Sequence, residues 1–186
     1  PLTRVTASRG LMRLDSALAC GNKCLPSVRI GSMPKYGAAI VILKSGKGAV
    51  MITKGIKQLC AEAEQEIETM TVEQVMAARN DPDVQLIDIR DIRELWRDGT
   101  IPGASHAPRG MLEFWVDPAS PYHREEFASG KKFIFYCAGG MRSALAAQSV
   151  HRMGLAPVAH MAGGFGAWVK AEGEVEAKEA KLPQAK

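Results

Sequence analysis

Cys137 is the residue of this sequence best placed to do chemistry. It directly follows Phe133-Ile134-Phe135-Tyr136, an aromatic and β-branched run with the composition of a buried strand. After it come Ala138-Gly139-Gly140-Met141-Arg142 and then a stretch of helical spacing from Ser143 to Met153, closed by Gly154. Strand, cysteine, glycine loop and helix in that order make a cradle for negative charge. Gly139 and Gly140 let the backbone curl so that successive N–H groups point inward. The helix start contributes its positive dipole end, and Arg142 contributes a full cation. All three favour the thiolate, which is the nucleophilic form of cysteine. A buried, inert thiol is the competing reading of any cysteine at a strand end, and the Cys-x4-Arg spacing argues against it here.

The remaining polar candidates divide between chemistry and structure. Asp88 ends an apolar strand, from which it either supports the loop or pairs with nearby donors. Arg90 and Glu94 stand four apart and are expected to pair with each other. Arg109 is placed either to meet an anionic substrate or to sit solvated in its loop. His106, His123, His151 and His160 lack metal-ligand spacing, and Cys20-x3-Cys24 has no partner pair, so no metal is expected. Trp96, Trp115 and Trp168 are read as packing residues.

The elements that position these residues alternate. Ile56 to Ile67 reads as a helix with Ile56, Leu59, Cys60, Ala63 and Ile67 on one face. Thr71 and Gln74 form a capping box that opens a helix to Arg79. Strands are expected over Val84–Ile89, Ser105–Ala107, Phe133–Tyr136 and Pro157–Met161, and helices over Asp91–Arg97, Met111–Val116 and Phe165–Ala171. This alternation implies an α/β fold with a central, largely parallel sheet flanked by helices. Ligands of such sheets sit beyond the carboxyl ends of the strands, where Cys137 falls.

Composition sets the bounds. With 186 residues, 46% hydrophobic and 24% charged, the chain can build one core of ordinary size. No apolar run approaches the ~20 residues of a membrane-spanning helix. Four cysteines are too few for a disulfide scaffold and point to a reducing, cytoplasmic setting. The net charge of +4 is concentrated in residues 1–50, which hold eight Lys or Arg and one acid. The remainder is mildly acidic and has no basic stripe with interleaved aromatics, so nucleic acid is not an expected partner. Residues 1–50 lack sustained periodicity and read as a basic extension that is disordered, a targeting segment, or the product of an upstream start. The Glu/Lys/Ala-rich stretch 173–186 is expected to be a solvated tail.

Four ordered motifs resemble the single-domain rhodanese family. Leu86-Ile87-Asp88-Ile89-Arg90 is similar to its first signature. Glu94 with Gly99-Thr100-Ile101-Pro102-Gly103-Ala104 is similar to the second, with Thr100 where the family usually has His. Cys137 to Ser143 resembles the active-site loop, and Gly163-Gly164-Phe165-Gly166-Ala167-Trp168 the closing motif. The resemblance implies a rhodanese-like three-layer domain over 71–172, preceded by a lead-in helix and first strand over 51–70. It further implies a cofactor-free sulfurtransferase in which Cys137 becomes a persulfide and Ala138, Gly139, Gly140, Met141 and Arg142, with Arg109, bind the anion. The donor would be a small thiosulfate-like molecule, and the acceptor a thiol, cyanide or protein thiol. A sulfur-carrier or sensor domain that docks a partner is the non-enzymatic alternative. Related cell-cycle phosphatases have one more residue between Cys and Arg, which makes phosphatase the minor alternative.

Overall fold

The structure is a computed structural model that describes residues 52–180. The 1–50 segment with Cys20 and Cys24, and the last six residues, lie outside the described part. Five parallel strands form one sheet in the order β1-β5-β4-β2-β3. They are β1 (Glu68–Met70), β2 (Val84–Asp88), β3 (Ser105–His106), β4 (Lys132–Tyr136) and β5 (Val158–Met161). The helices are α1 (Ile56–Glu66), α2 (Val72–Ala78), α3 (Ile92–Asp98), α4 (Leu112–Val116), α5 (Met141–Arg152) and α6 (Gly164–Lys170). The short 3₁₀ turn Glu125–Ala128 has no counterpart in the sequence reading.

Strand β4 shows how the pattern sets the layers. Its side chains alternate between the faces of the sheet. Phe133, Phe135 and Cys137 join one core cluster with Ala146, Ala147 and Val150 of α5 and Leu112 and Val116 of α4. Ile134 and Tyr136 join the opposite cluster with Val72 and Val75 of α2 and Phe165 and Trp168 of α6. Helix α1 lies against α5. Its face is narrower than its spacing suggests: Cys60, Ala63 and Ile67 are buried, whereas Ile56 and Leu59 are exposed. Trp96 is also exposed rather than packed, and Trp115 supports the Arg124 guanidinium at 3.2 Å.

Two capping boxes set helix starts. At α2, the Gln74 N–H donates to Thr71 Oγ1 at 3.3 Å and the Thr71 N–H to Gln74 Oε1 at 2.8 Å. At α3, Asp91 and Glu94 form the same device. Helix α5 begins at Met141, two residues earlier than its spacing suggests, so Met141 and Arg142 make its first turn.

Residues 174–180 have mostly exposed side chains, yet their backbone is tied down. Thr100 and Glu176 exchange backbone hydrogen bonds at 2.9 and 2.8 Å, and Trp168 Nε1 donates to the Glu174 carbonyl at 2.9 Å.

Candidate active site

The site grows from the end of β4. The Ile89 N–H donates to the Tyr136 carbonyl at 3.1 Å, which ties the last residue of β4 to the backbone just past β2. Past Cys137 the carbonyls turn away from the loop centre. The Phe165 N–H takes the Cys137 carbonyl at 2.7 Å, and the Gly166 N–H takes that of Ala138 at 2.9 Å. The closing glycine motif is therefore a brace for the cysteine loop, a role its sequence did not reveal. With these carbonyls held outward, the loop can present N–H groups inward. The Gly140 N–H does so, donating to Cys137 Sγ at 3.2 Å. Gly140 reaches this pose at φ +95°, which disfavours any side chain, and an added methyl would press on the Gly163 nitrogen. Ser143 Oγ donates to the Gly140 carbonyl at 2.8 Å and locks the turn. Met141 and Arg142, in the first turn of α5, lack intrahelical acceptors for their N–H groups, as at any helix start.

Cys137 itself is 1% exposed, at the floor of the loop. Ala138 and Gly139 above it are exposed, and a methyl added to Gly139 would meet open space.

Arg142 borders the site but is already engaged. Its Nη1 and Nη2 donate to the two carboxylate oxygens of Glu94, each at 2.8 Å. Glu94's hydrogen bonds and charge, and then the neighbouring Cys137, hold the guanidinium above an ordinary arginine pKa against the opposing effect of burial. This overturns the expected Arg90–Glu94 pair. Arg90 instead forks onto Asp88, Nη2 to Oδ2 at 2.7 Å and Nε to Oδ1 at 3.0 Å, with both side chains buried. Asp88 is thus a structural acid, not a contact of the loop. It also accepts from Thr100 Oγ1 at 3.0 Å, so that hydroxyl must accept in turn from Tyr136 Oη, 2.8 Å away. The Arg90 guanidinium stacks 3.9 Å from the Phe165 ring, joining this buried network to α6. Thr100, where the family usually has His, belongs to the same network.

Arg109 lies at the same edge of the sheet. Its N–H donates to the Ile89 carbonyl at 3.2 Å, while its Nη1 sits 2.6 and 2.7 Å from the Glu113 oxygens. Ser149 Oγ donates to that carboxylate at 2.7 Å. Arg109 is thus paired with Glu113 through Nη1, at a side chain that remains partly exposed. Cys60 is a further neighbour of the loop: its thiol points to the Met141 carbonyl at 3.7 Å. Burial, then Glu64 and Cys137, push its pKa up, which keeps it a protonated donor. Its inward position was legible from helical spacing, but its contact with the loop was not. Among the described residues, no group of three or more His, Cys, Asp or Glu side chains is arranged to hold a metal ion. No described helix is long and apolar enough to cross a membrane.

Comparison with known proteins agrees with this geometry. A thiosulfate sulfurtransferase/rhodanese-like domain-containing protein 3 of Mus musculus is 28% identical over 115 residues, 59% of this chain and 73% of its own length. Among solved structures, a protein of unknown function and possible tyrosine phosphatase from Rhodopseudomonas palustris aligns with a TM-score of 0.67 at 53% identity, covering 70% of this chain and 100% of that one. The thiosulfate sulfurtransferase of Pseudomonas aeruginosa aligns at 26% identity with a TM-score of 0.51, covering 64% of this chain and 22% of that one. Residues 71–171 match the model of the rhodanese-like domain, more than half of the sequence, and the chain belongs to that family.

Proposed function

We propose that this domain is a sulfurtransferase that carries sulfane sulfur on Cys137. The observation that carries the reading is the Gly140 N–H aimed at Cys137 Sγ at 3.2 Å, in a loop braced from outside by α6. The Cys137 thiolate attacks the sulfane sulfur of a donor such as thiosulfate. A new S–S bond forms, the donor's own S–S bond breaks, and sulfite leaves with the bonding pair. The persulfide's terminal sulfur carries the negative charge, where inward N–H groups meet it. An acceptor thiolate, or cyanide, then takes that sulfur, and Cys137 returns to thiolate. No metal or organic cofactor enters these steps, and a reducing compartment such as the cytoplasm keeps the thiol available.

The 53% identity to the Rhodopseudomonas palustris protein described as a possible tyrosine phosphatase favours a second reading, phosphate-ester hydrolysis. Against it stands the loop itself. Four residues separate Cys137 from Arg142, and a phosphoryl group with several charged oxygens needs a wider ring of donors and a cation free to meet it.

One experiment separates the readings. The full chain and its Cys137→Ser variant are incubated with thiosulfate, desalted and weighed by intact-mass spectrometry, and both are assayed with p-nitrophenyl phosphate. The expected result is one added sulfur atom on wild type, none on the variant, and no phosphatase activity above the variant. Cys137-dependent hydrolysis without sulfur loading would put the phosphatase reading first.

A further inference from the structure

Both arginines that the sequence nominated as anion ligands are paired with a carboxylate, Arg142 through both Nη groups and Arg109 through Nη1, and each carboxylate is held by a third group. Glu113 on Arg109 is fixed by Ser149. Glu94 on Arg142 is fixed by the Asp91 N–H, which donates to Oε2 at 3.1 Å in the capping box of α3. Glu94 is therefore no swinging surface side chain. Its fold position sets it, and only about a fifth of it is exposed, against 43% of Arg142.

We propose that Glu94 is a specificity-determining residue: it occupies the anion position of Arg142 and so selects against small free dianions such as thiosulfate, in favour of sulfane sulfur carried on an organic thiol. This deepens the sulfur-transfer reading and rests on it. A planar guanidinium meets a carboxylate or sulfonate through a pair of N–H groups, and Glu94 fills the Nη1–Nη2 edge of Arg142. While Glu94 fills that edge, a sulfonate has to displace a charged, hydrogen-bonded competitor before it can bind. An organic hydropersulfide needs no such exchange: the Cys137 thiolate takes its terminal sulfur, the donor's S–S bond breaks and the organic thiolate leaves with the bonding pair, so the loop N–H groups meet a single sulfur. The Arg142 charge remains in place near Cys137 in both cases, so Glu94 acts on binding and not on the bond-making step. Glu94 is a positioning residue in this scheme and touches no reacting atom.

The test uses the full chain and Glu94→Gln, which removes the charge but keeps a side chain able to accept the Asp91 N–H. The first readout does not depend on sulfur transfer: inorganic sulfate is titrated for its protection of Cys137 against iodoacetamide. A partly exposed ion pair is worth up to about fivefold in binding. The half-protecting sulfate concentration should therefore fall about fivefold in the variant. The second readout is kcat/KM with thiosulfate and with 2-hydroxyethyl hydropersulfide. The ratio of thiosulfate to hydropersulfide should rise about fivefold, through KM for thiosulfate. Glu94→Asp, one methylene too short to span to Arg142, should move both readouts the same way and serves if the Gln variant loses stability. Unchanged sulfate protection and an unchanged donor ratio, in variants that melt with wild type, would overturn the proposal. A shift in sulfate protection without persulfide formation by wild type would keep Glu94 as a competitor for anions and refute the sulfur-transfer reading instead.

Discussion

Replacing Gly164 by Ala tests whether the α6 brace holds the Cys137 loop. Gly164 sits at φ +57°, in the left-handed region. A methyl there would overlap the carbonyl oxygen of Cys137 and stand 2.9 Å from the Ala138 carbonyl carbon and the Gly139 nitrogen. These are backbone atoms, so no rotamer change relieves the overlap. Left-handed backbone costs an L-residue about 1–2 kcal/mol, and forcing extra volume into a packed contact costs about 1–3 kcal/mol. The sum of about 2–5 kcal/mol corresponds to a fall in Tm on the order of 10 °C for a domain of this size. The Phe165 and Gly166 hydrogen bonds to the loop lengthen in the same event, so Cys137 should also lose its Gly140 contact and alkylate with iodoacetamide at a changed rate. Gly139→Ala is the internal control: no atom lies within 4 Å of its added carbon. Calorimetry and alkylation kinetics read both variants. A Gly164→Ala protein that melts within about 2 °C of wild type and alkylates at the wild-type rate would refute the brace.

Asp88→Asn leaves the buried Arg90 guanidinium without its counter-charge and should lower unfolding free energy by about 3–5 kcal/mol in urea titrations; a loss below about 1 kcal/mol would mean that Thr100, Gly99 and the Phe165 ring suffice. His160 is 1% exposed, with Nε2 3.0 Å from Thr69 Oγ1 and Nδ1 lacking a partner, and burial lowers its pKa against the opposing charge of Glu64. Its unfolded form takes up a proton near about pH 6.5 while the folded form stays neutral. The stability it supports is therefore complete above that pH and is lost as pH falls below it, at up to about 1.4 kcal/mol per unit. His160→Phe should flatten the urea midpoint against pH between about pH 7 and about pH 5; an unchanged slope would assign the acid sensitivity to other groups.

The parts of this fold that were legible in the sequence are those governed by local periodicity. Strand β4 alternates its faces, the Thr71 and Gln74 pair caps α2, and the glycines after Cys137 mark a loop, all from neighbours a few residues apart. The Arg90 and Glu94 expectation failed for a specific reason. The i,i+4 rule applies within a helix, and α3 has its N-cap at Asp91, so Arg90 lies outside it. Freed from helical geometry, Arg90 turns back to Asp88, and Glu94 reaches Arg142, 48 residues away in sequence. The contact of Cys60 with Met141 and the bridge from Glu176 to Thr100 are of the same kind. Composition describes side chains, whereas the 173–180 segment is held by its backbone.

The positions of the charges also bear on how the loop works. Arg142 is forked onto Glu94 and Arg109 holds Glu113 through Nη1, so both arginines share their charge with a carboxylate. Beside Cys137 stand the Gly140 N–H at 3.2 Å, the first turn of α5 and the Arg142 charge that Glu94 shares. Backbone donors have fixed positions, so their value depends on the loop keeping its shape. That explains why so much of the surrounding sequence acts on shape: Gly140 at positive φ, Ser143 on the Gly140 carbonyl, and two N–H groups of α6 on the loop carbonyls. A ring of this kind suits a ligand that ends in one polarisable sulfur. A phosphate ester, with several charged oxygens, would need the arginine that Glu94 already holds. The Glu94–Arg142 pair thus links the size of the loop to the class of group it can carry.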